Sequence, residues 1–156
     1  MLALNAGCQC GSEAGFLAVM AEIRHRMGVI DAVFFSEFDA CEGAMTYDTV
    51  GWDVSRHRAH GGHNMAFIIK SSLGHLVQEV RWRRRCGMAV LRSGVSEGRY
   101  HAAKIAFVHG PHAGDELEEM FVDLSKLLTS AKQCVCSTIC LGDWNIDVRP
   151  VISLIL

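Results

Sequence analysis

Residues 140–147 read CLGDWNID. An apolar run, 135–141, broken by small polar residues, stops at Gly142 and gives way at once to Asp143, Trp144, Asn145 and Asp147. The run reads as a buried strand. Gly, Asp and Asn are turn formers, and a plain turn would account for them locally. Their place after a buried run favours another role, in which the strand end presents oxygen atoms to a cleft while its apolar body stays in the core. Asp147 reads as a turn or edge residue.

Outward from this stretch, the rest of the chain supplies a sheet for that strand to join. Leu2 to Asn5 is a short apolar segment ending on an amide. Ser12 offers an N-cap with Glu13 in the first turn. Phe16, Met20, Ile23 and Met27 follow at helical spacing, and Gly28 supplies the stop. Residues 29–35 form a strongly apolar strand candidate running into Ser36 and Glu37. Residues 49–56, 65–69, 77–82, 88–92 and 102–109 are short β-rich runs punctuated by Gly, Ser and His. Asp115 can open a helix with Leu117, Phe121, Leu124 and Leu128 on one face. The helix stripes around Phe16 and Phe121 read as core. The order β-α-β, β meander, α-β predicts an α/β or α+β domain with a mixed sheet.

Composition narrows the function classes. The 156 residues suffice for one domain with a sizeable core. Half are hydrophobic and about a fifth charged, which is globular composition. No apolar run approaches the ~18 residues of a membrane span, and the start has no basic region of a secretory signal. Cytoplasm or nucleus is the expected location. Seven cysteines, an odd count, read as reduced thiols, with Cys134, Cys136 and Cys140 as small buried hydrophobes on one strand face. A net charge of −2 gives no global footprint of a nucleic-acid binder. RWRRR, residues 81–85, is the dense basic run. In a strand, Arg81, Arg83 and Arg85 would share a face and meet phosphates, or else guard an exposed sheet edge. His57, His60 and His63 recur every three residues, but the Gly pair between them argues against a fixed metal geometry.

Four strand ends therefore carry polar residues: Asn5, Glu37, His109 with His112 around Pro111, and Asp143 with Asn145. Carboxylate and amide oxygens on such ends suit a hard divalent cation such as Mg²⁺. In this order, Asn5, Ser36-Glu37, NMAFIIKSSL, HGPHAG and GDWNID resemble the endonuclease/exonuclease/phosphatase superfamily. That group has the deoxyribonuclease I-like fold, a sandwich of mixed β-sheets flanked by helices. The resemblance implies that Glu37 ligates Mg²⁺ (or Mn²⁺) with Asn5 close by. It implies that Asp143 positions or activates the attacking water and Asn145 holds a phosphate oxygen or the metal shell. His109 falls where relatives contact the scissile phosphate, and His112 beside it.

Family members continue for roughly another hundred residues, the size of a small domain half. The resemblance thus implies that residues 1–156 are a partial domain, truncated at the C-terminus and lacking the closing Asp-His pair. The implied activity is hydrolysis of a phosphodiester or other phosphate ester, weak or absent in this chain. DNA, RNA, phosphoinositides and sphingolipids are all candidate substrates. The alternative is a catalytically silent fragment, at most a binding module, associating through uncovered sheet surface.

Overall fold

The computed structural model describes residues 1–7, 10–38, 51–58, 64–96, 99–112, 115–130 and 137–145. Within them the chain runs β1 (Leu2–Asn5), α1 (Glu13–Met27), β2 (Ala32–Ser36), β3 (Trp52–Arg58), β4 (Asn64–Lys70), a 3₁₀ segment (Ser71–Leu76), β5 (Val77–Trp82), β6 (Cys86–Ser96), β7 (Arg99–His109), α2 (Asp115–Ser130) and β8 (Ser137–Asp143). The strands form two four-stranded sheets, ordered β1-β2-β4-β3 and β5-β6-β7-β8.

The meander expected from the sequence is shared between these sheets. β3 and β4 make an antiparallel pair in the first, the 3₁₀ segment crosses over, and β5, β6 and β7 run antiparallel in the second. Each sheet closes on a parallel pair, β1 with β2 and β7 with β8. Parallel neighbours need a crossover, and α1 and α2 supply it. The domain is thus built around two βαβ units.

Helix α1 forms where the sequence places it. The Ser12 hydroxyl accepts the Gly15 N–H at 3.0 Å, and Gly28, at φ 77°, ends the helix with its N–H on the Arg24 carbonyl at 2.9 Å. Phe16, Met20 and Ile23 pack on one face of the first sheet with Val33, Phe35, Phe38, Ala66 and Ile68. Met120, Leu124 and Leu127 of α2 pack on the outer face of the second, over Met88, Val90, Ala106 and Val108. Between the sheets Phe34 stacks on Phe107 with ring centroids 4.8 Å apart, and Phe67 on Phe107 at 5.1 Å. Burying one such ring contributes about 1.5–3 kcal/mol, and each stacked pair about 0.5–1.5 more. Strict alternation along β2 explains the layering: Val33 and Phe35 face α1, while Ala32 and Phe34 face the other sheet.

Several expectations need correction. Phe121 is 45% exposed, and Met120 and Leu127 fill the places expected of it. Met27, in the last turn of α1, is exposed at 59%. β8 is not buried: Ser137 to Cys140 are exposed, with Ile139 at 52%. Only β7 flanks it among the described residues, so its apolar side chains line a sheet margin. Cys140 is accordingly an exposed thiol, whereas Cys10 and Cys86 are buried. Burial pushes those two thiols up to about 11 and about 12, which suits inert packing groups. Cys134 and Cys136 lie outside the described residues, as do Thr49 and Val50 of the expected third strand.

The basic run also differs from expectation. β5 ends at Trp82, and 83–85 form the turn into β6, closed by the Arg83 N–H on the Cys86 carbonyl at 2.7 Å. Arg81, Arg83 and Arg85 therefore do not share a strand face. Arg84 pairs with Glu119 and Arg85 with Glu116 at 2.7 Å, both on α2. Arg81 pairs with Glu79 and donates to the Ser130 hydroxyl at 2.8 Å. The run fastens α2 to the hairpin.

Candidate active site

Both βαβ units end their strands on the same chemistry. In the first, Asn5 stands opposite Ser36 in register, and the Ala6 N–H donates to the Ser36 carbonyl at 2.8 Å. Glu37 is the next residue, its side chain 27% exposed. In the second, His109 stands opposite Asp143, and the Gly110 N–H donates to the Asp143 carbonyl at 2.6 Å. A contact between the sheets joins the two units: His109 Nε2 lies 3.8 Å from Glu37 Oε1. Glu37, His109 and Asp143 thus stand at neighbouring C-terminal ends of β2, β7 and β8, with Asn145 just beyond.

Backbone strain marks the same place. Among the described residues the non-glycine residues with positive φ are Glu37, at 53°, and Asn145, at 48°. Asn tolerates the left-handed region, but for Glu it costs about 1–2 kcal/mol. Such conformations persist only where surrounding structure over-determines them. Around Glu37 that structure is β1 on one side and β4 on the other, where the Phe38 N–H donates to the Asn64 carbonyl at 2.9 Å.

At Asn145 it is an interlock of two loops. Asn145 Nδ2 donates to the Gly110 carbonyl at 2.7 Å, and its backbone N–H donates to Asp143 Oδ1 at 3.2 Å. A Cβ on Gly110 would fall 1.9 Å from the Trp144 carbonyl oxygen. A Cβ on Gly142, whose φ is 148°, would fall 2.0 Å from that of Val108. Only glycine permits these approaches, which is the physical content of Gly142 preceding Asp143.

The remaining site expectations separate. Asn5 is exposed, and its Oδ1 accepts the Gly7 N–H at 2.8 Å. His109 is buried, 1% exposed. His112 is exposed beyond the buried Pro111, and Arg83 is exposed at its turn. Asp147 lies outside the described residues. Sequence reasoning assigned no part to Gly110 or Asn64, although each supplies a carbonyl that fixes a neighbour of the site. The Gly-Pro pair at 110–111 was the available signal. Ser36 Oγ, buried between Asn5 and Glu37 in the strand register, has no hydrogen-bond partner among the described residues.

His57 has a different role from a metal ligand. It sits on β3 and stacks on Trp82, ring centroids 5.6 Å apart and planes 4° from parallel, while Trp82 Nε1 donates to Ser55 Oγ at 3.1 Å. His60 and His63 lie outside the described residues. Burial holds the His57 imidazole below its ordinary 6.5, and backbone hydrogen bonds at Arg83 and Arg84 pull weakly the other way. A depressed histidine binds its proton more readily unfolded than folded, so stability falls as pH drops below about 6.5. Urea midpoints measured at pH 7.5 and 5.5 are expected to differ less in His57→Phe than in the wild type. Equal slopes would dismiss this origin.

Among the described residues no group of three or more His, Cys, Asp or Glu side chains converges to hold a metal ion. Glu37 offers a part-exposed carboxylate, and Asn5 on the adjoining strand end an amide oxygen that already accepts the Gly7 N–H; such oxygens are the donors a hard cation takes.

No protein-family model and no curated protein matches the sequence. Solved structures do. The catalytic domain of Xenopus laevis APE2 superposes with a TM-score of 0.61 at 16% identity, over 96% of this chain and 59% of that one. The 3′ phosphatase NExo from Neisseria, bound to a product DNA hairpin, gives 0.60 at 15%, over 93% and 56%. The human Nocturnin catalytic domain gives 0.56 at 12%, over 94% and 63%. An endonuclease/exonuclease/phosphatase family protein from Bacteroides thetaiotaomicron also matches, at 0.56. The chain has the deoxyribonuclease I-like fold. It spans under two thirds of the length of these structures. No described helix is long and apolar enough to cross a membrane.

Proposed function

We propose that residues 1–156 are part of an endonuclease/exonuclease/phosphatase domain whose reaction is Mg²⁺-dependent hydrolysis of a phosphate ester, with nucleic acid as the favoured substrate class. One observation carries the reading: the two non-glycine residues with positive φ among the described residues, Glu37 and Asn145, stand at the strand ends that gather His109 and Asp143. Glu37 and Asn5 would hold Mg²⁺ or Mn²⁺, which when bound offsets charge on the phosphate oxygens. Asp143 has one oxygen engaged by the Asn145 N–H and offers the other to orient or deprotonate a water. Asn145, its amide plane fixed by the Gly110 carbonyl, keeps a second N–H for a phosphate oxygen. His112 and Arg83, both exposed, are the candidates for outer phosphate contacts, while Arg81 and Arg85 are engaged by Glu79, Ser130 and Glu116. The DNA hairpin in the Neisseria relative supports a nucleic-acid substrate. Free thiols at Cys10, Cys86 and Cys140 suit a cytoplasmic or nuclear setting.

Incubation of nicked and abasic plasmid with the chain and Mg²⁺ tests this. Glu37→Ala and Asp143→Asn are each expected to lower turnover at least about a hundredfold. Equal inertness of wild type and variants, with circular dichroism showing folded protein, sinks the enzyme reading. A second reading then stands, a binding module. Exposed apolar side chains, Phe121 and Val122 on α2 and Ile139 on β8, each 45–52% exposed, favour it. Concentration-dependent sedimentation, lost in Ile139→Lys with Val122→Lys, is its expected result.

A further inference from the structure

We propose that the groove between the last turns of α1 and the first sheet binds a small amphiphilic anion, an apolar chain ending in a carboxylate. The groove encloses about 560 Å³, within the ~300–1,000 Å³ of small-molecule sites. Met20 and Ile23 form its buried floor, and Ile30 and Trp52 close it on the sheet side. Leu17 and Val29 stand at its mouth, 43% and 77% exposed. Helix α1 thus carries more apolar surface than the sheet covers, and apolar surface left open in a concave place marks a binding site. Ten residues line it, well short of the 20–30 a side of a standard protein interface, so the occupant is small.

Charge decides the class of ligand. Arg24 and Lys70 line the groove, and no carboxylate does. Lys70 Nζ is already held by Asp31 Oδ1 at 2.7 Å. The Arg24 side chain is exposed and makes no ion pair or hydrogen bond among the described residues. One unbalanced guanidinium therefore stands beside apolar walls, and a carboxylate is the group it takes with two parallel N–H···O bonds. The groove on the other side of α1 makes the contrast. Leu2, Leu4 and Met27 line it, but its Glu22 and Arg26 pair with each other at 2.5 Å, so it offers no free charge. The proposed site is also separate from the candidate active site. Trp52 stands opposite Lys70, and Ala32 opposite Ile69, whereas Ser36, next to Glu37, stands opposite Met65 at the other end of β2. The inference is thus independent of the hydrolase reading.

Calorimetric titration of the full chain with octanoate and with uncharged 1-octanol, both below micelle-forming concentrations, tests the assignment. Wild type is expected to bind octanoate saturably and more tightly than octanol. Arg24→Gln should weaken octanoate about 5–20-fold and leave octanol unchanged, the size of one solvent-exposed charge-assisted contact. Arg24→Lys, which keeps the charge and loses the two-pronged geometry, should fall between. Ala21→Phe, which fills the groove from an exposed position on α1, should weaken both ligands at least about tenfold. Amide chemical-shift changes on adding octanoate to wild type, expected at the last turns of α1, at 28–30 and at Trp52, locate the ligand even where Ala21→Phe fails to fold. No saturable octanoate binding overturns the proposal. Equal octanoate affinity in Arg24→Gln and wild type overturns the anion assignment, and shift changes confined to other elements overturn the site. A ligand-free dimer that Ala21→Phe converts to monomer in sedimentation would give the groove to a second copy of the chain and overturn it as well.

Discussion

Glu37→Gly is expected to yield a more stable protein with at least about a hundredfold less Mg²⁺-dependent hydrolysis. Two effects oppose each other in the stability. Glycine removes the left-handed cost that Glu37 bears at φ 53°, about 1–2 kcal/mol. It also loosens the unfolded chain, which costs about 0.5–1 kcal/mol. The side chain is only partly buried and the His109 ring nitrogen lies 3.8 Å away, so little packing is lost. At the middle of both ranges the strain term wins by somewhat under about 1 kcal/mol, a rise of about 2–3 °C in Tm. Glu37→Ala is the control, since it removes the carboxylate and keeps the strain. Thermal melts of the three proteins decide the matter. A glycine variant no more stable than the alanine variant would show that the conformation at 37 is not strained.

Gly142→Ala is expected to act in the opposite direction and to take the site apart. Its Cβ would sit 2.0 Å from the Val108 carbonyl oxygen and 2.8 Å from the Val108 nitrogen, both backbone atoms that no rotamer change can move aside. The φ of 148° adds strain of its own. Together these cost about 3 kcal/mol or more, a Tm loss of about 6–12 °C. The relief available is to lift β8 from β7, which breaks the register that sets Asp143 against His109. Gly28→Ala separates clash from strain, because Gly28 also has positive φ but a Cβ there would meet no atom within 4 Å. That control should lose only about 1 kcal/mol. Urea unfolding measures both, and hydrogen exchange at the β8 amides shows where Gly142→Ala opens. Equal losses at the two glycines would mean that the close approach of β7 and β8 contributes nothing.

Much of this architecture was legible because its signals are local. The Ser12 cap, the Gly28 stop and the short apolar strands depend on neighbours a few residues away, and each element formed within a few residues of its expected position. The polar strand ends at Asn5, Glu37, His109 and Asp143 were legible for the same reason, as breaks in apolar runs. What failed depended on neighbours distant in sequence. Stripes through Phe121 and through Met120 are adjacent on α2, and the packing of the helix on the second sheet buries Met120 and leaves Phe121 exposed. The 137–140 segment has the composition of a core strand, yet a strand flanked on one side only exposes what it carries. RWRRR gave a strand pattern, but two carboxylates on α2 drew its last arginines into a turn.

By itself, then, the sequence determined which residues end the strands and what chemistry they hold, because hydrophobic period and turn composition act over a few residues. The tertiary structure decided that Glu37 approaches His109 across two sheets, that His109 is buried there, and that Glu37 takes a backbone conformation its own side chain disfavours. These depend on how one βαβ unit is pressed against the other, and that contact energy belongs to pairs about seventy residues apart, beyond the reach of any local pattern.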